Sequence, residues 1–475
     1  VIETNSSFDH PARNIVPIAD DRTIARIIQK RRWVVEQKRA KSRFHFVGFA
    51  IRVPTDMYQV TRLENGLTVA TAEMPQMASV SVGFWVAMGG RYETAAQSGI
   101  SHFIEHMLFK GTRRRSAREI SASVEGVGGY LNAFTAEENT CFYAKARYDR
   151  LEELVEVLAD MFLNSVFDPE EISKERDVIK EEMDSYIDQP HQYVQELLNA
   201  TMWPGQPLGR SITGTKKSLD RIGRPQLLDH LRGAYVAPNT LIAVAGRVEH
   251  KEVLNAVGRF ARRLSPGPRS QFVPAVSVQT APAISLRAKR TEQTQIALGI
   301  RGYSRRDERR HALRALNAVL GENMSSRLFQ TIREDRGLAY SVYSGASFFD
   351  DVGDLVISAG LDADHLEKTL KLIVDELKRL TQQIVPAGEL RRARDYVIGQ
   401  MDLSLENSEN QMMWAGESLL GYGEILDPDL IRQRVSQVRA SDVRAVARDL
   451  FRPDRYNLAI VSPIKKTDGL EKLLA

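Results

Sequence analysis

The sequence predicts an α+β protein in which one folding unit occurs twice. Strand-like and helix-like stretches alternate from Met57 onward. A Pro- and Ser-rich stretch near the middle separates two runs with the same order of elements. Finally, "ERDVIKEEMD" (175–184) and "ARDYVIGQMD" (393–402) align without a gap, sharing Arg176/Arg394, Asp177/Asp395, Met183/Met401 and Asp184/Asp402.

In the first run, "LTVATAEM" and "VSVGFWVAMG" have the period and residue types of strands. "AREISASVEGVGG" and "DRLEELVEVLADMFLN" read as helices, with strands in "YLNAFTAEENTCFYAKA" between them and another in "NTLIAVAG". In the second run "TQIALGI", "AYSVYSGASF", "GDLVISAGL" and "RYNLAIVSP" read as strands. "HALRALNAVLG" and "DHLEKTLKLIVDELKRL" read as helices. The expected divisions are an N-terminal extension at 1–56, a first repeat at 57–263, a linker at 264–283 and a second repeat at 284–475. The extension is basic and weakly helical, lacks the h-region of a signal peptide, and is expected to be disordered or not native, with the natural start at Met57.

Bulk composition excludes several classes of function. The formal charge of +4 on 475 residues hints at a polyanion partner. Residues 1–56, however, hold 11 Lys/Arg against 6 Asp/Glu, a net of +5, which leaves −1 for everything after them. No nucleic-acid partner is expected for a body so close to neutral. No apolar run reaches the roughly 18 residues of a membrane span. The one cysteine, Cys141, alternates with strand residues and is read as a small buried side chain.

The chemistry concentrates in "GISHFIEHMLFKGT" (99–112). His102, Glu105 and His106 fall at i, i+3 and i+4 on one face of a helix, and the apolar residues cover the other faces. Ser98 is the expected cap and Lys110-Gly111 the expected stop. Two neutral imidazoles one turn apart suit a zinc ion, and a carboxylate beside them suits a general base. The order His-x-x-Glu-His inverts the usual zinc-protease order. A third ligand is needed, and "SKERDVIKEEMDSY" offers acids on a second helix. Either Glu181 or Glu182 could reach the ion. Glu182 leaves Glu175 two turns behind on the same face, within about 20°, where it could orient a ligating histidine.

The duplication supplies a control. Glu175 aligns with Ala393 and Glu182 with Gln400, and the helix "LRALNAV" is expected to place Leu313, Leu316 and Asn317 where the first copy has its ionisable residues. The scaffold therefore does not need those groups.

His102-Phe-Ile-Glu105-His106 followed by Glu182 in "ERDVIKEE" resembles the pitrilysin (M16) zinc metallopeptidases. The closer resemblance is to the branch of about 50 kDa chains that includes bacterial processing proteases and the catalytic β-subunit of the mitochondrial processing peptidase. It extends from about residue 58 to 470. The resemblance implies two repeats, each a mostly antiparallel sheet with helices packed on it, forming half of a clamshell. It implies one zinc per chain on His102, His106 and Glu182, with Glu105 as general base and Glu175 in support. It implies a substrate strand at Asn132, Ala133 and Phe134, and an Arg333/Tyr340 pair in "FQTIREDRGLAYSVYS" that serves a zinc site in the opposite half. With two repeats per chain, that half is another chain, so a homodimer, or a heterodimer with a related chain, is expected around a chamber for peptides or unfolded polypeptide. "LGENMSSRLFQ" is not the glycine-rich loop of the non-catalytic processing subunits. Gln192 and Glu196 stand where the presequence-processing branch has two acids, so a bacterial-type peptidase fits better than a strict presequence peptidase. The expected compartment is the cytoplasm of a bacterium, or the mitochondrial matrix in a eukaryote. The alternative reading is a non-catalytic core subunit of a larger complex.

Overall fold

The computed structural model describes residues 57–474, so the expectations for the 1–56 extension lie outside the described residues. The strands are β1 (Tyr58–Arg62), β2 (Thr68–Glu73), β3 (Ser79–Val86), β4 (Tyr130–Thr135), β5 (Thr140–Arg147) and β6 (Thr240–Gly246), then β7 (Ala283–Ala288), β8 (Thr294–Gly302), β9 (Ala339–Phe348), β10 (Gly353–Leu361) and β11 (Tyr456–Ser462). Six helices matter for the site: α1 (Ile100–Leu108), α2 (Pro169–Asp188), α3 (Pro190–Met202), α4 (Arg310–Leu320), α5 (Ala387–Ser404) and α6 (Ser408–Tyr422).

The first sheet runs β1-β2-β6-β3-β5-β4 and the second β7-β11-β8-β10-β9. Leaving out β1, the two orders are the same, and each sheet has one parallel pair at the same place, β2–β6 and β7–β11, among antiparallel neighbours. The duplication read from the sequence is thus a duplication of topology. Segment 265–282 contains no helix or strand and connects the sheets.

Each sheet is covered on both faces, which explains continuous apolar runs such as "LIAVAG". In β6, Ile242 and Val244 face the core shared with α1, while Leu241, Ala243 and Ala245 face the other way. That second face is closed by a helix from the other repeat. Met412, Ala415 and Leu419 of α6 pack on the first sheet beside Trp85. In return, Val194, Leu198 and Met202 of α3 pack on Ala297, Ala459 and Val461 of the second sheet. Glycines seat both helices. A Cβ at Gly83 would lie 2.3 Å from Met412 Sδ, and one at Gly299 would lie 3.0 Å from a Leu198 methyl. Cys141 is buried against α6, as a small core residue.

Candidate metal centre

Burial fixes the rotation of α1. Ile100, Phe103, Ile104, Met107 and Leu108 are at most 1% exposed and belong to the first core. The remaining stripe is His102, Glu105 and His106. Ser98 does not cap this helix. The cap position is Gly99, whose φ of 93° is left-handed and whose Cβ would lie 2.5 Å from the Thr213 carbonyl oxygen. The free N–H groups go instead to a carboxylate from upstream. Glu93 accepts from Gly99 N–H at 2.7 Å and from Ser101 N–H at 2.8 Å, a negative charge at the positive end of the helix. Burial pushes the Glu93 carboxyl up to about 7, against the pull of those two bonds. The stop is as read: the helix ends at Leu108, and Gly111 is left-handed at φ 116°.

α2 starts on a cap that sequence rules describe, with Asp168 accepting from Glu170 N–H and Glu171 N–H and Pro169 in the first turn. Arg176 fixes its rotation through bonds to the carbonyls of Leu219 and Ile222. The face turned to α1 then carries Glu175, 4% exposed, and Glu182. Glu181 is exposed, and of the two candidate acids it is Glu182 that lies near both imidazoles.

The three donors converge. Glu182 Oε2 lies 3.7 Å from His102 Nε2 and 3.7 Å from His106 Nε2, and the three ligand atoms all lie within 4.8 Å of one another. Four donors around a zinc ion at its usual bond lengths are about 3.4 Å apart, so the set fits a zinc ion with one position left over. Glu175 Oε2 is 3.0 Å from His106 Nδ1, and Lys110 Nζ is 2.7 Å from the other carboxylate oxygen. A proton on Nδ1 facing Glu175 leaves the Nε2 lone pair aimed at the shared point. Burial, helped by the neighbouring His106, pushes His102 down to about 3 and keeps it a neutral donor at ordinary pH.

Glu105 is held apart from this trio. Thr135, the last residue of β4, donates to Glu105 Oε2 at 2.5 Å. Burial raises the Glu105 carboxyl, while Thr135 and His106 pull the other way. A cleft of about 390 Å³ is lined by His102, Glu105, Glu182, Ala133, Phe134 and Thr135, with Glu137, Tyr186, Glu196 and Arg210 farther along. β4 is the edge strand of its sheet. Asn132 is exposed on it, and its Oδ1 accepts from the Ala133 N–H at 2.8 Å. Thr135, Tyr186 and Glu93 were missed in the sequence. Tyr186 is four residues after Glu182 on the same helix face, a signal that was available, whereas Glu93 acts through a fold-dependent contact.

Arg333 and Tyr340 are not brought to this cleft. They line a separate cleft of about 550 Å³, with the Arg333 guanidinium 5.8 Å from the Tyr340 ring centre and Tyr340 74% exposed. Arg333 sits in a π-helical turn, Phe329–Glu334, a wide turn common at functional sites. The second repeat also corrects one alignment. Leu313 and Leu316 are 0% exposed in its core, so they do not stand in for the zinc-site residues. Arg314 and Asn317, with Gln400, line the second repeat's cleft. The control keeps its force, because this cleft offers no pair of imidazoles.

Comparison with known proteins decides the family. Residues 68–216 match the model for insulinase (peptidase family M16), and residues 221–397 match that for the peptidase M16 inactive domain. The chain belongs to peptidase family M16. It is 37% identical over 401 residues to the uncharacterised zinc protease YmxG of Bacillus subtilis, covering 84% of this chain and 97% of that one. It is also 37% identical over 418 residues to an uncharacterised zinc protease of Mycobacterium leprae, covering 87% of this chain and 94% of the relative. The fold is that of a protease from Helicobacter pylori, with a TM-score of 0.80 and 22% identity over 87% of this chain and all of that one. As an M16 protein, the chain has the expected two-sheet architecture. The match called inactive, 221–397, overlaps the first part of the repeat whose cleft lacks the donor set.

Proposed function

We propose that this M16 chain is a zinc-dependent endopeptidase acting on peptides or unfolded protein segments. The observation that carries the reading is the convergence of His102, His106 and Glu182 beside Glu105 in a cleft walled by an edge strand. His102, His106 and Glu182 would hold one zinc ion per chain. When bound, zinc supplies Lewis acidity toward the scissile carbonyl and toward water. Glu105 takes the proton of the attacking water and passes it to the leaving amine, and Thr135 keeps its carboxylate aimed. Glu175 holds His106 in the tautomer that ligates.

β4 offers Asn132, Ala133 and Phe134 to an extended peptide. The Ala133 N–H, held by Asn132 in the free protein, becomes a donor to a substrate carbonyl when the peptide adds to the edge. Main-chain pairing of this kind reads few side chains, in keeping with a broad specificity. Residues 57–263 form the zinc-binding repeat and 284–475 the repeat carrying Arg333 and Tyr340. The exposed Tyr340 hydroxyl and Arg333 guanidinium are suited to stabilise a developing oxyanion in the zinc cleft of another copy, which makes the working unit a dimer. No described helix is long and apolar enough to cross a membrane.

The test is digestion of a mixed peptide library with and without a chelator, repeated for Glu105→Gln. Chelator-sensitive cleavage that Glu105→Gln lowers by about 10²–10⁴ is expected. Cleavage indifferent to both would contradict the proposal.

A further inference from the structure

A buried ion cluster lies where the two repeats meet. Arg91 is 1% exposed. One arm donates to Glu138 Oε1 at 2.6 Å and the other to Asp351 Oδ1 at 2.6 Å, while the guanidinium lies 3.7 Å from the Phe272 ring centre. Glu138 also accepts from Arg305 and from the Asp350 N–H at 3.0 Å. The second oxygen of Asp351 accepts from Ala275 N–H in the connecting segment at 2.8 Å. The cluster therefore ties the β4–β5 turn, 136–139, to the corresponding β9–β10 turn, 349–352, of the second repeat.

The first of those turns ends the strand beside the cleft. Among the described residues β4 pairs with β5 alone and has an open side, so the anchoring of the turn that joins the two strands bears on its placement. Gly90 N–H donates to Ala136 O at 3.1 Å and Arg91 N–H to Glu137 O at 2.8 Å. A Cβ at Gly89 would lie 2.2 Å from Ala136 O, so the contact requires glycine. Immediately before this turn, Thr135 holds Glu105.

We propose that Arg91 is a positioning residue for the substrate strand, and that Asp351 and Arg305 extend this role into the second repeat. A two-armed planar guanidinium bridges two carboxylates from different segments at once, which a lysine cannot do. Arg91, Glu138 and Arg305 are largely desolvated, with Asp351 at the exposed rim, so losing one charge leaves a buried partner uncompensated and frees the turn as a unit. The second repeat, which lacks the zinc donors, thus fixes the edge to which the peptide adds. What β4 binds rests on the peptidase reading, but whether the cluster fixes β4 does not.

Asp351→Asn and Arg305→Met test this from the second repeat's side of the cluster, with Arg91 itself kept in place. Two readouts are taken on the full chain. Amide hydrogen exchange over 130–140 should accelerate roughly tenfold while β3 and β6 keep their protection. For a peptide of about ten residues, KM should rise roughly fivefold with kcat within about twofold, and a short peptide that does not extend along β4 should be cleaved as before. Unchanged exchange at 130–140 in both variants would overturn the proposal. So would equal losses for long and short peptides, which mark a general defect. Faster exchange with KM unchanged for every peptide would support the coupling and contradict the peptide-strand reading instead.

Discussion

Glu175 and Glu182 carry the same functional group seven residues apart, and their surroundings separate their roles. Glu182 faces two imidazole nitrogens, whereas Glu175 faces one imidazole N–H and one ammonium. Glu175→Gln keeps the shape and weakens the charge-assisted bond to His106, so zinc affinity should fall by about 10–100-fold, read by competition with a chelator. A second histidine bears on stability. Burial, with help from Arg310, Arg314 and Arg434, pushes His311 down to about 3. Below pH 6.5 the unfolded chain takes up a proton that the folded chain refuses, so the unfolded state binds more protons and stability falls as pH falls. The fall continues towards pH 3, at about 1.4 kcal/mol per pH unit from this residue. Urea unfolding at pH 6.5, 5.5 and 4.5 should show a shallower decline for His311→Gln than for the parent chain.

At the level of elements, the proposed zinc site depends on two helices whose rotation is set by different means. α1 is turned by its apolar faces, and those were legible from spacing alone. Its start was not, because the cap is Glu93, which reaches α1 only through the fold, and local rules pointed to Ser98 instead. α2 was legible in outline through Asp168-Pro169 and the Glu175/Glu182 spacing, but choosing Glu182 over Glu181 by geometry required the orientation that Arg176 imposes. The exchange of α3 and α6 between repeats left no local signal, since an apolar helix face does not say which sheet it covers. Gly416 is the sharpest point of that exchange: a Cβ there would lie 2.3 Å from the Trp85 ring. Gly416→Ala should cost about 1–3 kcal/mol by overpacking, seen as a lower midpoint of thermal unfolding.

For the whole molecule, the sequence duplication predicted the repeated topology, and the matching strand orders bear it out. What a single chain does not bring together is its own zinc cleft and its own Arg333/Tyr340 pair, which line different clefts. If the pair serves another copy, an Arg333→Ala chain mixed with a Glu105→Gln chain should recover a measurable share of activity, because one of the mixed sites is intact in both parts. No recovery after subunit exchange would show that the sites are not shared. The expectations about activity and zinc affinity depend on a metal ion between α1 and α2. The most direct test is the zinc content of purified, untagged protein beside that of Glu182→Gln. One zinc per chain in the parent and a large loss in the variant are expected. A metal-free parent, or a variant that binds zinc as tightly as the parent, would contradict the site.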